Sequence, residues 1–256
     1  MKDPIVTLLT DFGTRDPFVG VMKGVILGIC PSVHLVDLTH EVPPQMVMAG
    51  AYLLKTVIDY FPKGTIHLCV VDPGVGSARK CVALKSQGHF FVGPDNGLFS
   101  AALKDRGIEQ VVELTEKKFQ LRNPSSTFHG RDIFAPAAGY LAKGVPFLKL
   151  GNRINHWIWR ELPKPFRAKA GWTGEVLWVD RFGNLVTNLE AKHLPKPFRM
   201  KVGKTVILNL ASHYAEAKKG AFMALVGSSG TLEISVNGGN AAQKLGARIG
   251  MSVVLG

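Results

Sequence analysis

Asp72 and Arg79 stand seven residues apart in Val70-Val71-Asp72-Pro73-Gly74-Val75-Gly76-Ser77-Ala78-Arg79. The apolar, partly β-branched run Thr65-Ile66-His67-Leu68-Cys69 leads into this stretch and reads as a strand buried on both faces. Asp72 then lies at the carboxyl end of the strand, where open α/β sheets place their ligands. Pro73 stops the strand, and Gly74 and Gly76 let the chain turn sharply, so the Arg79 guanidinium can fold back toward the carboxylate. Such a pair is either a capped strand end with an ion pair or part of a reactive site.

Ser126-Thr127-Phe128-His129-Gly130-Arg131-Asp132 is the second such stretch. A histidine on a loop before a helix can serve as base, donor or water-positioning group, or simply sit at a helix N-terminus with Asp132 in its first turn. Asp11, Asp37, Asp72 and the pair Asp95 and Asn96 all close strands, and Asp16 follows Asp11 closely. At one sheet edge, acids of this kind can hydrogen-bond ribose hydroxyls or hold magnesium, although no motif specifies a cation site. Further on, Asp180, Phe182 and Asn184 share one turn, a mixture that suits an amine, a base face and a base edge, or a plain turn. Gly227-Ser228-Ser229-Gly230 offers N–H groups and hydroxyls to a carboxylate, and Asn237-Gly238-Gly239-Asn240 is a similar small-residue loop. Neither GxGxxG nor GxSxG is present, which argues against an ordinary dinucleotide enzyme and a serine hydrolase.

The elements that must position these residues follow from periodicity. Strands are expected at 5–9, 33–37, 65–72, 81–84, 89–92 and 110–114, with helices at 19–29, 46–61, 98–104 and 131–143. This rhythm predicts an α/β unit with a largely parallel sheet over residues 1–163. Past Pro163-Lys164-Pro165 the texture changes to short strands at 174–180, 185–188, 205–210, 222–226, 232–236 and 252–255. Residues 164–256 therefore read as a smaller, all-β, barrel-like unit without a long helix.

Composition narrows the class. Of 256 residues, 46% are hydrophobic and 20% charged, ordinary values for a folded protein. No run approaches the roughly 20 apolar residues of a membrane span, and no signal-like segment precedes the first strand, so a soluble, cytoplasmic protein is expected. Cys30, Cys69 and Cys81 form no CxxC pair and predict neither a disulfide framework nor a zinc site. The net charge of +12 is concentrated in Pro-Phe-containing connections and matches no nucleic-acid-binding motif, which favours a solvated basic surface.

The segments TDFGTRDPFVGVMKG, DLTHEVPP, VVDPGVGSARK, GPDNGLFS, STFHGRD, VDRFGNLVTN and VGSSGTLEISVNGGNA together resemble the S-adenosylmethionine hydroxide adenosyltransferases, or S-adenosylmethionine hydrolases. These are relatives of the fluorinating and chlorinating enzymes that use the same substrate. The resemblance implies an N-terminal α/β domain, a C-terminal barrel-like domain and a homotrimer with sites between subunits. It implies hydrolysis of S-adenosylmethionine to adenosine and L-methionine without metal or cofactor, with Asp72, Arg79 and His129 handling the water. By the same carry-over, Asp11 meets the ribose hydroxyls, Asp180 the methionine amine, and Ser228 and Ser229 its carboxylate. Phe182 and Asn184 meet the adenosine portion, and the backbone near Val236 and Gly238 lines the adenine edge. The halogenating relatives carry tyrosine at the position of Asp72 and serine at that of Gly130, and they have an aromatic residue near Gln45 that is missing here. Two rivals make different predictions. A magnesium phosphohydrolase built on Asp11, Asp16, Asp72 and Asp95 would be sensitive to chelators, and a non-enzymatic RNA- or nucleoside-binding protein would bind RNA in a salt-sensitive way.

Overall fold

A computed structural model describes residues 3–256. The chain divides into two compact units, Met1–Leu162 and Pro163–Gly256.

The first unit runs β1 (Ile5–Thr10), α1 (Phe18–Ile29), β2 (His34–Thr39), α2 (Val47–Val57), β3 (Ile66–Val70), β4 (Cys81–Ser86) and β5 (His89–Pro94). It continues through α3 (Ser100–Leu103), β6 (Gln110–Glu113), a π-helical turn at Gly130–Phe134, α4 (Ala135–Ala142) and β7 (Asn152–Arg153). Its seven strands lie in the order β2-β1-β3-β5-β4-β6-β7. Alternation along β1 assigns the faces: Val6 and Leu8 join Met22 and Ile26 of α1 and Phe134, Ala138 and Leu141 near and in α4. Leu9 points the other way, toward Gly50 of α2 and Leu98.

The largely parallel sheet expected from the sequence is corrected to a mixed one. Pairs β1–β2, β1–β3 and β3–β5 are parallel, whereas β4–β5, β4–β6 and β6–β7 are antiparallel. The physical cause is local. Ser86 pairs with His89, leaving Gln87 and Gly88 as a two-residue loop with φ of 47° and 83°. Two consecutive left-handed residues make the tight hairpin turn that only antiparallel strands can use. The helix expected over 131–143 also differs, because it opens with a π-helical turn, a form often found at functional sites.

His67 of β3 is fully buried. Its Nδ1 lies 2.8 Å from Thr7 Oγ1 and its Nε2 3.2 Å from His89 Nδ1. Burial, helped by His89 and Arg106, pushes its pKa down to about 3. Below pH 6.5 the unfolded chain takes up a proton that folded His67 refuses, so stability is complete above 6.5 and falls as pH drops toward the folded value. The loss should reach about 3 kcal/mol by pH 4. Urea midpoints measured between pH 7 and 4 should show it, and a His67→Asn variant with the same slope would rule this residue out as the source.

The second unit contains β8 (Phe166–Ala168), β9 (Gly171–Val179), β10 (Leu185–Glu190), β11 (Met200–Val202), β12 (Thr205–Ile207), β13 (Phe222–Val226), β14 (Thr231–Val236), the short α5 (Ala241–Leu245) and β15 (Ser252–Leu255). Its strand path is β12-β11-β15-β9-β10-β14-β13, with β8 beside β9. The two ends of that path meet: Ala211 N donates to Ala224 O at 2.8 Å and Ala224 N donates to Asn209 O at 2.9 Å. The sheet is thus nearly a barrel, filled by Val176, Leu185, Leu189, Met200, Leu232, Ile234 and Val253.

Candidate active site

Sheet order positions the first two acids. β1 connects to β2 on one side, while β3, on its other side, leads onward across the sheet, so the space beyond β1 and β3 is the topological switch point where open sheets bind ligands. Thr10 pairs with Val70, and Asp11 and Asp72 therefore leave neighbouring strands at the same edge. Asn96 secures this exit by donating from Nδ2 to Val71 O at 2.8 Å. After Asp72, the Val75 N–H bonds Asp72 O, and the Ser77 N–H and hydroxyl both bond Gly74 O. These overlapping turns fold Arg79 back over the strand end.

There Arg79 grips Asp72 with two parallel bonds, Nε to Oδ1 at 2.9 Å and Nη2 to Oδ2 at 2.5 Å. Both side chains are buried, at 8% and 5% exposure. Burial alone would lower the Arg79 pKa, but its contacts with Asp72 and Cys81 together outweigh this and the net shift is upward. The guanidinium also stacks 5.3 Å from the centre of the Phe134 ring.

His129 joins the pair from a distant loop, with Nδ1 2.7 Å from Arg79 Nη2. A guanidinium can only donate, so Nδ1 is the acceptor and the ring proton of neutral His129 sits on Nε2. Burial and the Arg79 charge both hold the His129 pKa below the ordinary 6.5. The loop before it is anchored through Asp132, whose carboxylate takes the Ser125 N–H at 2.8 Å and the Arg131 Nε–H at 2.6 Å. The two loops touch at Gly76, where φ is 77° and a Cβ would lie 2.3 Å from Ser126 O.

Asp11 accepts the Gln45 N–H at 2.8 Å, with Gln45 itself in the left-handed region at φ 67°. Burial raises the Asp11 pKa, and the nearby Asp72 charge adds to this against the pull of the Gln45 amide. The remaining acids do not converge. Asp37 is held by Lys23 and His40, Asp95 is buried and accepts the Ile158 N–H, and Asp16 is exposed. Among the described residues no group of three His, Cys, Asp or Glu side chains is placed to hold a metal ion. Two hollows, one beside Asp95, Phe99 and Trp157, the other of about 170 Å³ beside Phe166, Glu175 and Asn188, share no residue with the Asp72–Arg79–His129 cluster.

Sequence reading placed Asn96 at this edge without its role as the clamp on Val71, and it missed Cys81, whose Sγ lies 2.8 Å from Arg79 Nη1. Cys81 follows Arg79 by two residues at the start of β4, and that proximity was the available signal.

In the second unit, Asp180 organises its own turn. Oδ1 accepts the N–H groups of Phe182 and Asn184 at 2.9 and 2.8 Å, and Oδ2 accepts Asn184 Nδ2 at 2.8 Å. Asn184 is buried and Phe182 is 75% exposed. The turn seats against the loop after β14, since a Cβ on Gly183 would lie 2.1 Å from the Asn240 side chain. Leu185 pairs with Ile234, which brings the Val236 end of β14 toward the same turn, whereas a Cβ on Gly238 would meet the Lys219 side chain. Ser228 and Ser229 occupy the exposed turn at the other end of β14, roughly 17 Å along the strand at about 3.4 Å per residue. Those two serines and the Asp180 turn do not form one cluster within this unit.

A mixed α/β unit that gathers carboxylate, guanidinium and neutral imidazole at its ligand-binding edge has the equipment of an enzyme acting on a polar small molecule. The models of the S-adenosylmethionine hydroxide adenosyltransferase N-terminal and C-terminal domains match residues 6–151 and 174–254, and the chain belongs to this family. It is 39% identical to an (R)-S-adenosyl-L-methionine hydrolase of Salinispora tropica, over 96% of this chain and 95% of that one. It is 38% identical to the (R)-S-adenosyl-L-methionine hydrolase of Thermus thermophilus, over 98% of each. A crystal structure of an uncharacterized conserved protein from Thermotoga maritima superposes with a TM-score of 0.89 at 34% identity, covering 98% of this chain and 100% of that one.

Proposed function

We propose that the protein hydrolyses S-adenosyl-L-methionine to adenosine and L-methionine, with water attacking the ribose C5′ and methionine leaving from its sulfonium. The observation that carries the reading is the single guanidinium bridging Asp72 and His129 at the switch-point edge. A sulfonium leaves as a neutral thioether, so its departure needs no acid. The site has to supply an oriented oxygen stripped of competing water.

Each member of the cluster then has a task. His129, protonated on Nε2, donates to the water and orients a lone pair toward C5′. Arg79 stabilises hydroxide character as the proton leaves. With His129 Nδ1 occupied by Arg79, Asp72 is the group that receives the proton. Asp11 holds the ribose hydroxyls. Asp180 retains acceptor capacity on Oδ2 for the methionine amine, Phe182 and Asn184 face the adenosine, and Val236 and Gly238 line its base edge. The methionine amine and carboxylate sit on one carbon, so Ser228 and Ser229, about 17 Å along β14 from the Asp180 turn, take the carboxylate only when they come from a different subunit than that Asp180. This assignment fits a homotrimer whose sites lie between subunits. No helix of the described residues is long and apolar enough to cross a membrane, which accords with a cytoplasmic location.

The decisive experiment is turnover in ¹⁸O-labelled water followed by mass analysis of adenosine. Label at the 5′-oxygen is expected, and unlabelled adenosine or absence of methionine release would overturn the reading. Activity should persist in EDTA.

The pH profile follows from the His129 shift. Protonating Nδ1 would break its bond with Arg79, so activity requires the neutral ring. Because its pKa is held below 6.5, kcat/KM should stay level as pH falls through 6.5 and drop only at more acidic values. A limb centred above 6.5 that disappears in His129→Gln would contradict the assigned protonation state.

A further inference from the structure

We propose that Cys81 is a positioning residue for this reaction, its sulfur fixing the rotation of the Arg79 guanidinium so that one N–H remains directed at the attacking oxygen. The inference rests on the reading of Asp72, Arg79 and His129 as the water-handling cluster.

A guanidinium has five N–H donors in a rigid plane. Nε–H and one Nη2–H go to Asp72, and the other Nη2–H goes to His129 Nδ1. Of the two donors on Nη1, one meets Cys81 Sγ at 2.8 Å. A single Nη1–H is left without a protein acceptor among the described residues. The plane is thus held at its edges by Asp72, His129 and Cys81, and on one face by Phe134.

The sulfur is itself well anchored. Cys81 pairs with Pro94 across β4 and β5, and its carbonyl accepts the Leu114 N–H at 2.8 Å. Its Sγ also lies 3.9 Å from His129 Nδ1, within the same cluster. Cys30 and Cys69 are buried in the apolar core and touch none of these groups. A thiol suits the place because burial raises its pKa in spite of Arg79. It accepts a hydrogen bond without adding a second negative charge beside Asp72, which would draw the guanidinium away from the developing hydroxide.

The test compares Cys81→Ala with Cys81→Ser in the full-length protein. Alanine removes the acceptor and should lower kcat roughly fivefold to tenfold, the effect of one ordinary net hydrogen bond, as suits a weak sulfur acceptor, with KM for S-adenosylmethionine changed less than about twofold. Serine restores an acceptor and should recover most of kcat. Side-chain NMR of Arg79 gives a readout independent of turnover: distinct Nη1 protons in the wild type should merge through faster rotation in Cys81→Ala and stay resolved in Cys81→Ser. Wild-type kcat in a folded Cys81→Ala, or loss of kcat with unchanged Arg79 signals, would overturn the proposal. Wild-type protein that releases no methionine would instead refute the hydrolase reading, and the Arg79 signals would still decide whether the sulfur holds the guanidinium.

Discussion

Asparagine in place of Asp72 is expected to lower kcat by about 10²–10⁴-fold, the usual contribution of a positioned proton acceptor, while KM for S-adenosylmethionine moves only a few-fold. The substitution keeps the size and one carbonyl acceptor for Arg79, but it removes the charge that balances a guanidinium of 8% exposure. Removing one partner of a buried ion pair costs roughly 3–5 kcal/mol, so a lower thermal midpoint should accompany the loss of turnover. A stability effect alone would not explain a loss of kcat measured well below that midpoint. The variant also changes Asp11: with the Asp72 charge gone, one of the causes raising the Asp11 pKa is removed and the value should fall. Folded Asp72→Asn that turns over at the wild-type rate would remove Asp72 from the chemistry and leave the pair as a strand-end cap.

The second large effect is expected at a residue with no side chain. Gly76 has φ 77°, and a Cβ there would stand 2.3 Å from the backbone oxygen of Ser126. Because the obstacle is backbone, Gly76→Ala must push the 72–79 loop away from the loop that carries His129. The 2.7 Å contact between Arg79 Nη2 and His129 Nδ1 spans that junction. A misplacement of about 1 Å at a reacting group costs on the order of 10²-fold in rate, and left-handed backbone strain adds roughly 1–2 kcal/mol of destabilisation. The control is Gly24→Ala on α1, where a Cβ meets nothing within 4 Å and the backbone is helical. It should leave kcat unchanged. Equal kinetics for the two variants would show that the loops accommodate the methyl group without disturbing the cluster.

What a reader of the chain could extract follows the range of the interaction involved. The strands that end at Thr10, Val70 and Pro94 were legible to within two residues of those ends, because apolar runs terminated by Pro, Gly and Asp are local signals. The proximity of Asp72 and Arg79 was legible for the same reason, since a short glycine-containing loop closes on itself. The alternation that announced a barrel-like second unit is also local, and so is the turn chemistry of Asp180 and Asn184. The antiparallel half of the first sheet was missed although its cause, the Gln87-Gly88 hairpin, is just as local. Gln-Gly is a weaker hairpin signal than Asn-Gly or Asp-Gly, and the strand–helix rhythm before it points to parallel pairing.

The amino-acid sequence by itself determined most of the elements, though not the short strands β7, β8 and β11, together with the change of texture near Pro163 and the family, because each is written in neighbouring residues or in the order of short motifs. Only the tertiary structure decided that Arg79 touches His129 fifty positions away, that Asn96 clamps Val71 and that Cys81 reaches Nη1. It also decided that Ser228 and Ser229 lie at the opposite end of β14 from the Asp180 turn. These are matters of strand order and register, which are set when the whole sheet closes and every strand competes for its neighbours. No local window contains that competition.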